Sequence, residues 1–173
     1  MRSEKRKAVF LDRDGVLNRE RGDYTWLLED FQINPGVLEA LAQLADAGYL
    51  LIVISNQGGI GKGQYRKSDT DYLHLHLERQ LALGDVRLTE IYYCPHHPAT
   101  GKCLCRKPSG LMIEKAIARF QLDPTACFFI GDTERDVEAG HSAGVTTVRI
   151  SPNTSLIPIV DRILSGKIGR AHV

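Results

Sequence analysis

The chain has 173 residues, of which 43% are hydrophobic and 25% charged, and its formal net charge is +1. That length is one ordinary domain with enough chain for a full core, and the near-neutral balance supplies no broad field for nucleic acid or an acidic membrane. No apolar run approaches the roughly 20 residues that a membrane helix needs.

Met1 to Lys7 is charged and lacks the apolar segment of a signal peptide, so it reads as a frayed basic arm of a cytoplasmic protein. Ala8 to Leu11 is a short buried strand, and Glu20 to Phe31 is an irregular stretch expected to lie over a site. Pro35-Gly36 opens a helix from Val37 to Ala47, closed at Gly48. Leu50 to Ile54 is a second buried strand, followed by a glycine-rich loop from Gly58 to Gly63. Ser68 and Asp69 offer N-cap chemistry for a helix running to about Leu83. Glu90 to Tyr93 is a strand, Cys94 to Pro108 is irregular, and Gly110 to Phe120 is helical. Ala126 to Ile130 is a buried strand, Glu134 to Ser142 a helix, and Val145 to Ile150 a last strand. This alternation predicts an α/β fold: a three-layer sandwich with a mostly parallel, Rossmann-like central sheet and helices on both faces. The domain is expected to span residues 1–166. Residues 167–173 have no period, and one codon choice for them reproduces a common sequencing-adapter sequence; they are expected to be a non-native or disordered tail.

Polar groups follow three of the strands: Asp12 and Asp14, then Ser55-Asn56-Gln57, then Asp132. In a parallel sheet the carboxyl ends of the strands lie along one edge, so these groups converge. Arg106-Lys107-Pro108 adds positive charge. Carboxylates, a hydroxyl and a lysine in one cleft make a phosphate-handling set, with oxygen-bound Mg²⁺ offsetting the acids. Ser55 and backbone N–H groups can hold phosphate oxygens, and Lys107 can neutralise transition-state charge. Three thiols and an imidazole at Cys94, His96 or His97, Cys103 and Cys105 suit a tetrahedral structural zinc ion in a reducing cytosol. Other candidates have plainer readings. His74 and His76, two apart on a helix, read as solvent or edge residues; Tyr24 and Trp26 read as loop packing, Cys127 as core, and Asp132 as a possible helix N-cap.

The four segments Asp12-Arg13-Asp14-Gly15-Val16, Ser55-Asn56-Gln57, Lys107-Pro108 and Gly131-Asp132 with Asp136 resemble, in order, the motifs of the haloacid dehalogenase superfamily, from about Ala8 to Ile150. The resemblance implies a phosphatase with little or no cap domain. It implies Asp12 as a nucleophile that becomes an aspartyl phosphate, and Asp14 as the acid and base. It places Mg²⁺ on Asp12, the Asp14 main-chain carbonyl and Asp132, with Asp136 as a support for Lys107 or for a metal-bound water. The Cys/His loop resembles that of the branch containing heptose bisphosphate and histidinol phosphatases, which implies zinc on Cys94, His96, Cys103 and Cys105. Substrate contacts are implied for Glu20, Arg21, Gly22, Ser55, Asn56, Gln57, Gly58, Arg106 and Lys107. The glycine loop is similar to the heptose side, although Lys62 replaces the usual arginine, Asp23 looks inserted, and the zinc loop is short. The implied reaction is loss of the 7-phosphate from D-glycero-D-manno-heptose 1,7-bisphosphate in nucleotide-activated heptose biosynthesis for lipopolysaccharide core or S-layer glycan. Histidinol phosphate is the alternative. A monomer acting on a small sugar phosphate is expected.

Overall fold

Alternation along the strands decides the architecture. In the computed structural model, which describes residues 4–168, β1 (Ala8–Leu11), β2 (Leu50–Asn56), β3 (Glu90–Cys94), β4 (Phe128–Gly131) and β5 (Thr146–Arg149) form one sheet in the order β3-β2-β1-β4-β5. Every neighbouring pair is parallel. Successive side chains of a strand point to opposite faces. Val9, Leu11, Leu51, Val53 and Ile130 therefore face one way and pack against α1 (Val37–Asp46), α2 (Lys67–Ala82) and α5 (Ile157–Leu164). Ala8, Phe10, Ile52, Ile54 and Phe129 face the other way, onto α3 (Leu111–Phe120) and Ala139 of α4 (Glu134–Ser142). This is the expected three-layer sandwich. The connections between β1, β2 and β3 hold only loops, a 3-10 turn at Leu28–Asp30, α1 and α2, so no cap domain covers the sheet edge.

Register places the chemistry. Leu11 pairs with both Val53 and Ile130. The residues that follow, Asp12, Ser55 and Asp132, consequently emerge along one edge.

Several boundaries differ from the sequence reading. Arg66, not Ser68 or Asp69, is the N-cap of α2, and Asp69 at the third helical position accepts from the Arg66 N–H at 2.8 Å. Thr133 caps α4, with Asp136 returning the bond in a capping box. The cap reading of Asp132 is thus wrong, and its carboxylate is left for other work. Ala126 belongs to a 3-10 turn at Pro124–Ala126, and Cys127 is buried as expected. The basic arm is partly tied down: Arg6 bridges to Leu122, and the Lys7 ammonium lies 4.3 Å from the Tyr49 ring centroid. The helix α5 has no counterpart in the sequence reading, although Leu156, Val160 and Ile163 bury one face of it. Of the expected tail, Lys167 donates its N–H to the Arg162 carbonyl and Ile168 is buried, while residues 169–173 lie outside the described residues.

If α5 is an integral part of the core, Ile163→Ala will lower unfolding free energy by about 2–5 kcal/mol in urea titration. A change near zero would mean that the helix does not pack.

Candidate active site

The sheet edge opens into a cleft of about 460 Å³ lined by Asp12, Asp14, Lys107, Asp132 and Asp136. Lys107 is the hub of its floor. Its Nζ donates to Asp12 Oδ1 at 2.9 Å and to the Ile54 carbonyl at 2.8 Å, and it lies 2.7 Å from Asp136 Oδ1. Burial lowers the Lys107 pKa, but Asp12 and Asp136 outweigh it and leave the ammonium above its usual value. The second oxygen of Asp136 accepts from the Asp132 and Thr133 N–H groups, both at 3.1 Å, and from the Thr133 hydroxyl at 3.0 Å. Both Asp136 oxygens are thereby occupied, as suits a support for Lys107. Burial opposes ionisation there too, yet Lys107 and Thr133 hold the carboxyl below its ordinary value.

Asp12 and Asp132 are in the opposite condition. Burial pushes the Asp12 carboxyl well up, with Asp136 and Asp132 adding to the shift against the pull of Lys107. Burial raises Asp132 as well. Asp12, Asp132 and Asp136 each bring an oxygen within 4.8 Å of the others, and one ammonium does not balance three carboxylates. Asp132 Oδ1 is buried without a hydrogen-bond partner. Its carboxylate also fills the space above Gly15, whose φ of +88° already excludes most side chains, so it sits against the Asp14–Gly15 backbone. An orphaned buried oxygen, excess negative charge and oxygen donors fit a hard divalent cation.

Asp14 is held differently. Its Oδ1 accepts from Arg13 Nη2 and Asn18 Nδ2, both at 2.9 Å, and its Oδ2 accepts from Gln57 Nε2 at 3.1 Å. Burial works against its charge, but Arg13 and these donors outweigh it, and the carboxyl lies below its ordinary value. Gln57 is oriented by the Tyr65 hydroxyl, which donates to its Oε1 at 2.7 Å, and also donates to Ser55 Oγ at 2.8 Å. Ser55 and Gln57 are buried behind the cleft rather than lining it.

Of the other expected contacts, Glu20, Gly22, Asn56, Gly58 and Arg106 line the cleft. Arg21 does not; it reaches Asp30 at 3.4 Å and borders a separate surface hollow. Asn56 clamps Lys107 in place, accepting its N–H at 3.0 Å and donating to its carbonyl at 3.1 Å. Asp23, Tyr24, His97, Thr133 and Arg135 also line the cleft, and no motif or spacing singles out Thr133 or Arg135. His74 is a correction: it is buried, not an edge residue, and meets Arg13 Nη1 at 3.2 Å. Tyr24 and Trp26 pack on Tyr65, edge-on at 5.8 Å and stacked at 6.0 Å respectively.

Beside the cleft, Cys94, His96, Cys103 and Cys105 bring one donor atom each within 4.8 Å of the others. Cys94 Sγ is 3.1 Å from Cys105 Sγ, 3.7 Å from Cys103 Sγ and 3.4 Å from His96 Nδ1. Tetrahedral bonds of about 2.0–2.3 Å require donor separations of about 3.3–3.8 Å; Cys94 meets this with Cys103 and His96, while Cys105 lies closer and would move outward by a few tenths of an ångström on a zinc-sized ion. Burial and the Cys105 sulfur push the Cys94 thiol up to about 12, and a cation bound there would favour the thiolate. His97 is outside the set; its Nδ1 accepts from the Ala99 N–H at 3.0 Å. The cluster abuts the glycine loop. A Cβ on Gly61 would meet the His97 nitrogen at 2.8 Å, and one on Gly58 would meet Arg106 at 2.7 Å.

Because Asp136 titrates below its ordinary value when folded, its carboxylate stabilises fully above about pH 4 and loses that contribution as pH falls through the lowered pKa. Asp136→Asn leaves Lys107 paired with Asp12 but weakens the charged bonds to Lys107 and Thr133, and is expected to cost about 1–3 kcal/mol near neutrality in metal-free buffer. Urea titrations should show the gap from the native chain closing at acid pH; a gap independent of pH would contradict the pairing.

A family model described as HAD-hydrolase-like matches residues 104–153. The D-glycero-beta-D-manno-heptose-1,7-bisphosphate 7-phosphatase of Haemophilus ducreyi is 41% identical over 151 residues, covering 82% of this chain and 81% of the relative. The D-glycero-alpha-D-manno-heptose-1,7-bisphosphate 7-phosphatase of Campylobacter jejuni is 39% identical over 144 residues, covering 83% and 81%. Among solved structures, the D,D-heptose 1,7-bisphosphate phosphatase from B. bronchiseptica, complexed with magnesium and phosphate, aligns with a TM-score of 0.82 at 26% identity over 93% of this chain and 99% of that one. With the sheet order and the cleft described above, this chain belongs to the HAD-like phosphatase family that contains these heptose-bisphosphate 7-phosphatases.

Proposed function

We propose that this phosphatase, a cytoplasmic monomer, removes the 7-phosphate of D-glycero-D-manno-heptose 1,7-bisphosphate. The observation that carries the reading is the grouping of Asp12, Asp132 and Lys107 at the floor of an uncapped cleft, in a chain whose relatives bear that activity in their names. Asp12 attacks phosphorus in line, the P–O bond to the sugar breaks, and the phosphoryl group is carried as an aspartyl phosphate. Asp14, at the cleft wall, takes up a proton when the anionic phosphate beside it raises its carboxyl, gives that proton to the departing sugar oxygen, then takes one from the water that hydrolyses the intermediate. Lys107 stays charged and places its ammonium beside Asp12, where phosphoryl charge builds up. Bound by Asp12, the Asp14 main-chain carbonyl and Asp132, Mg²⁺ would supply the charge that lets an anionic phosphate approach an anionic nucleophile. Arg106, with its planar donors at the cleft, suits the phosphate that remains on the product. Glu20, Gly22, Asn56 and Gly58 frame the sugar. Zinc on Cys94, His96, Cys103 and Cys105 would brace the segment that presents Arg106 and Lys107. The short loop between the zinc ligands favours histidinol phosphate as a second reading.

Phosphate release from a panel holding both heptose bisphosphate anomers, histidinol phosphate and other sugar phosphates tests the substrate. The heptose bisphosphates should lead by kcat/KM; a lead for histidinol phosphate would replace the reading. Asp12→Asn should abolish turnover while leaving the fold intact, and retained turnover would remove Asp12 as nucleophile. Stripping zinc with a chelator should raise amide exchange over residues 94–107 more than in the sheet. Equal exchange in stripped and loaded protein would contradict the bracing role.

A further inference from the structure

Arg13 separates Asp12 from Asp14 in sequence, yet its side chain turns away from the cleft into the protein. It is wholly buried, so water cannot satisfy its donors, and a buried guanidinium without acceptors is costly. One terminal nitrogen, Nη2, donates to Asp14 Oδ1 at 2.9 Å and to the Thr25 carbonyl at 2.8 Å. The other, Nη1, meets His74 Nε2 at 3.2 Å. A guanidinium does not give up its proton in a protein, so His74 Nε2 is the acceptor of this bond and the ring proton sits on Nδ1. Burial and the adjacent Arg13 push His74 down to about 3, which keeps the ring neutral and its lone pair available. The ring is 5% exposed and packs edge-on against Tyr93, with centroids 5.4 Å apart; the Tyr93 hydroxyl in turn donates to Asp71 Oδ1 at 2.6 Å.

Two acceptors on different elements therefore pin the guanidinium plane: the Thr25 carbonyl from the loop over the cleft and His74 from α2. The Asp14 carboxylate follows that plane. A proton donor misplaced by about 1 Å can cost 10²-fold in rate. We infer that His74 is a positioning residue, which holds the Arg13 guanidinium so that the Asp14 carboxyl is aimed at the oxygen of the leaving group. This rests on the proposed role of Asp14 as proton donor.

The test separates proton delivery from the rest of catalysis by varying the leaving group. Values of kcat/KM, which cover the steps through phosphoryl transfer to Asp12, are measured on heptose 1,7-bisphosphate and on 4-nitrophenyl phosphate. The sugar alkoxide must be protonated as it leaves; the nitrophenolate need not be. Asp14→Asn should lose roughly 10²–10⁴-fold on the sugar phosphate and far less on the aryl ester. His74→Leu should lose about tenfold on the sugar phosphate, the scale of one buried hydrogen bond, and little on the aryl ester. His74→Gln, whose amide oxygen keeps an acceptor, should recover most of that loss. Thermal melts check that each variant is folded; should His74→Leu not fold, His74→Phe retains a ring against Tyr93 without the lone pair and serves in its place. Equal losses on both substrates for the His74 variants, with Asp14→Asn selective, would overturn the positioning role alone. An unselective Asp14→Asn would overturn the role of Asp14 and this inference with it.

Discussion

Three carboxylates around one buried ammonium are the constraint on which the rest of the structure depends. Asp12, Asp132 and Asp136 carry more negative charge than Lys107 can balance, and burial makes the imbalance costly. The chain distributes the burden. Asp136 takes Lys107 and the start of α4, and so stays ionised. Asp12 and Asp132 are left raised and in need of a cation. A site built in this way is poised for a divalent ion and for the phosphate that the ion would help to admit.

The surrounding structure serves that arrangement. Parallel register delivers Asp12 and Asp132 to one edge from adjacent strands β1 and β4. Lys107 arrives from a long irregular loop, where Asn56 clamps its backbone from both sides. The Cys/His cluster lies immediately upstream on the same loop, and Gly58 and Gly61 allow the glycine loop to press against it. A cluster that holds a metal would thus add rigidity where a lysine must be held without a regular element to hold it. Asp14 is supported independently, through Arg13, Asn18 and Gln57. The two acids of one short motif accordingly sit in opposite electrostatic conditions, one raised and one lowered. A cation at Asp12 would lower the first and an anionic phosphate beside Asp14 would raise the second, the states that attack and proton delivery require.

Much of this was legible in the sequence because it depends on local pattern. Short apolar runs bounded by polar residues locate the strand ends, and parallel topology then brings Asp12, Ser55 and Asp132 together. The Cys/His donors lie within twelve residues of one another, so their spacing alone points to one site. What was hidden depends on long-range packing. The spacing of His74 from His76 says nothing of its burial, which follows from Thr70, Leu73 and Leu77 on the same buried face of α2. The burial of Arg13 has no local signal, since nothing near it reveals that Thr25 and His74 would supply acceptors. The helix α5 is short and has proline in its first turn, so the buried stripe of Leu156, Val160 and Ile163 spans too few turns to make a clear period. The cleft-lining places of His97, Thr133 and Arg135 follow from loop conformation and helix orientation.

The proposed reaction carries phosphorus through a covalent bond to Asp12. The most direct measurement is to mix enzyme and heptose bisphosphate, quench within the first turnover, reduce any acyl phosphate with borohydride, and map the product by mass spectrometry. Homoserine is expected at position 12 and aspartate at positions 14, 132 and 136. Homoserine at another of these positions, or none at position 12 while phosphate is being released, would contradict it.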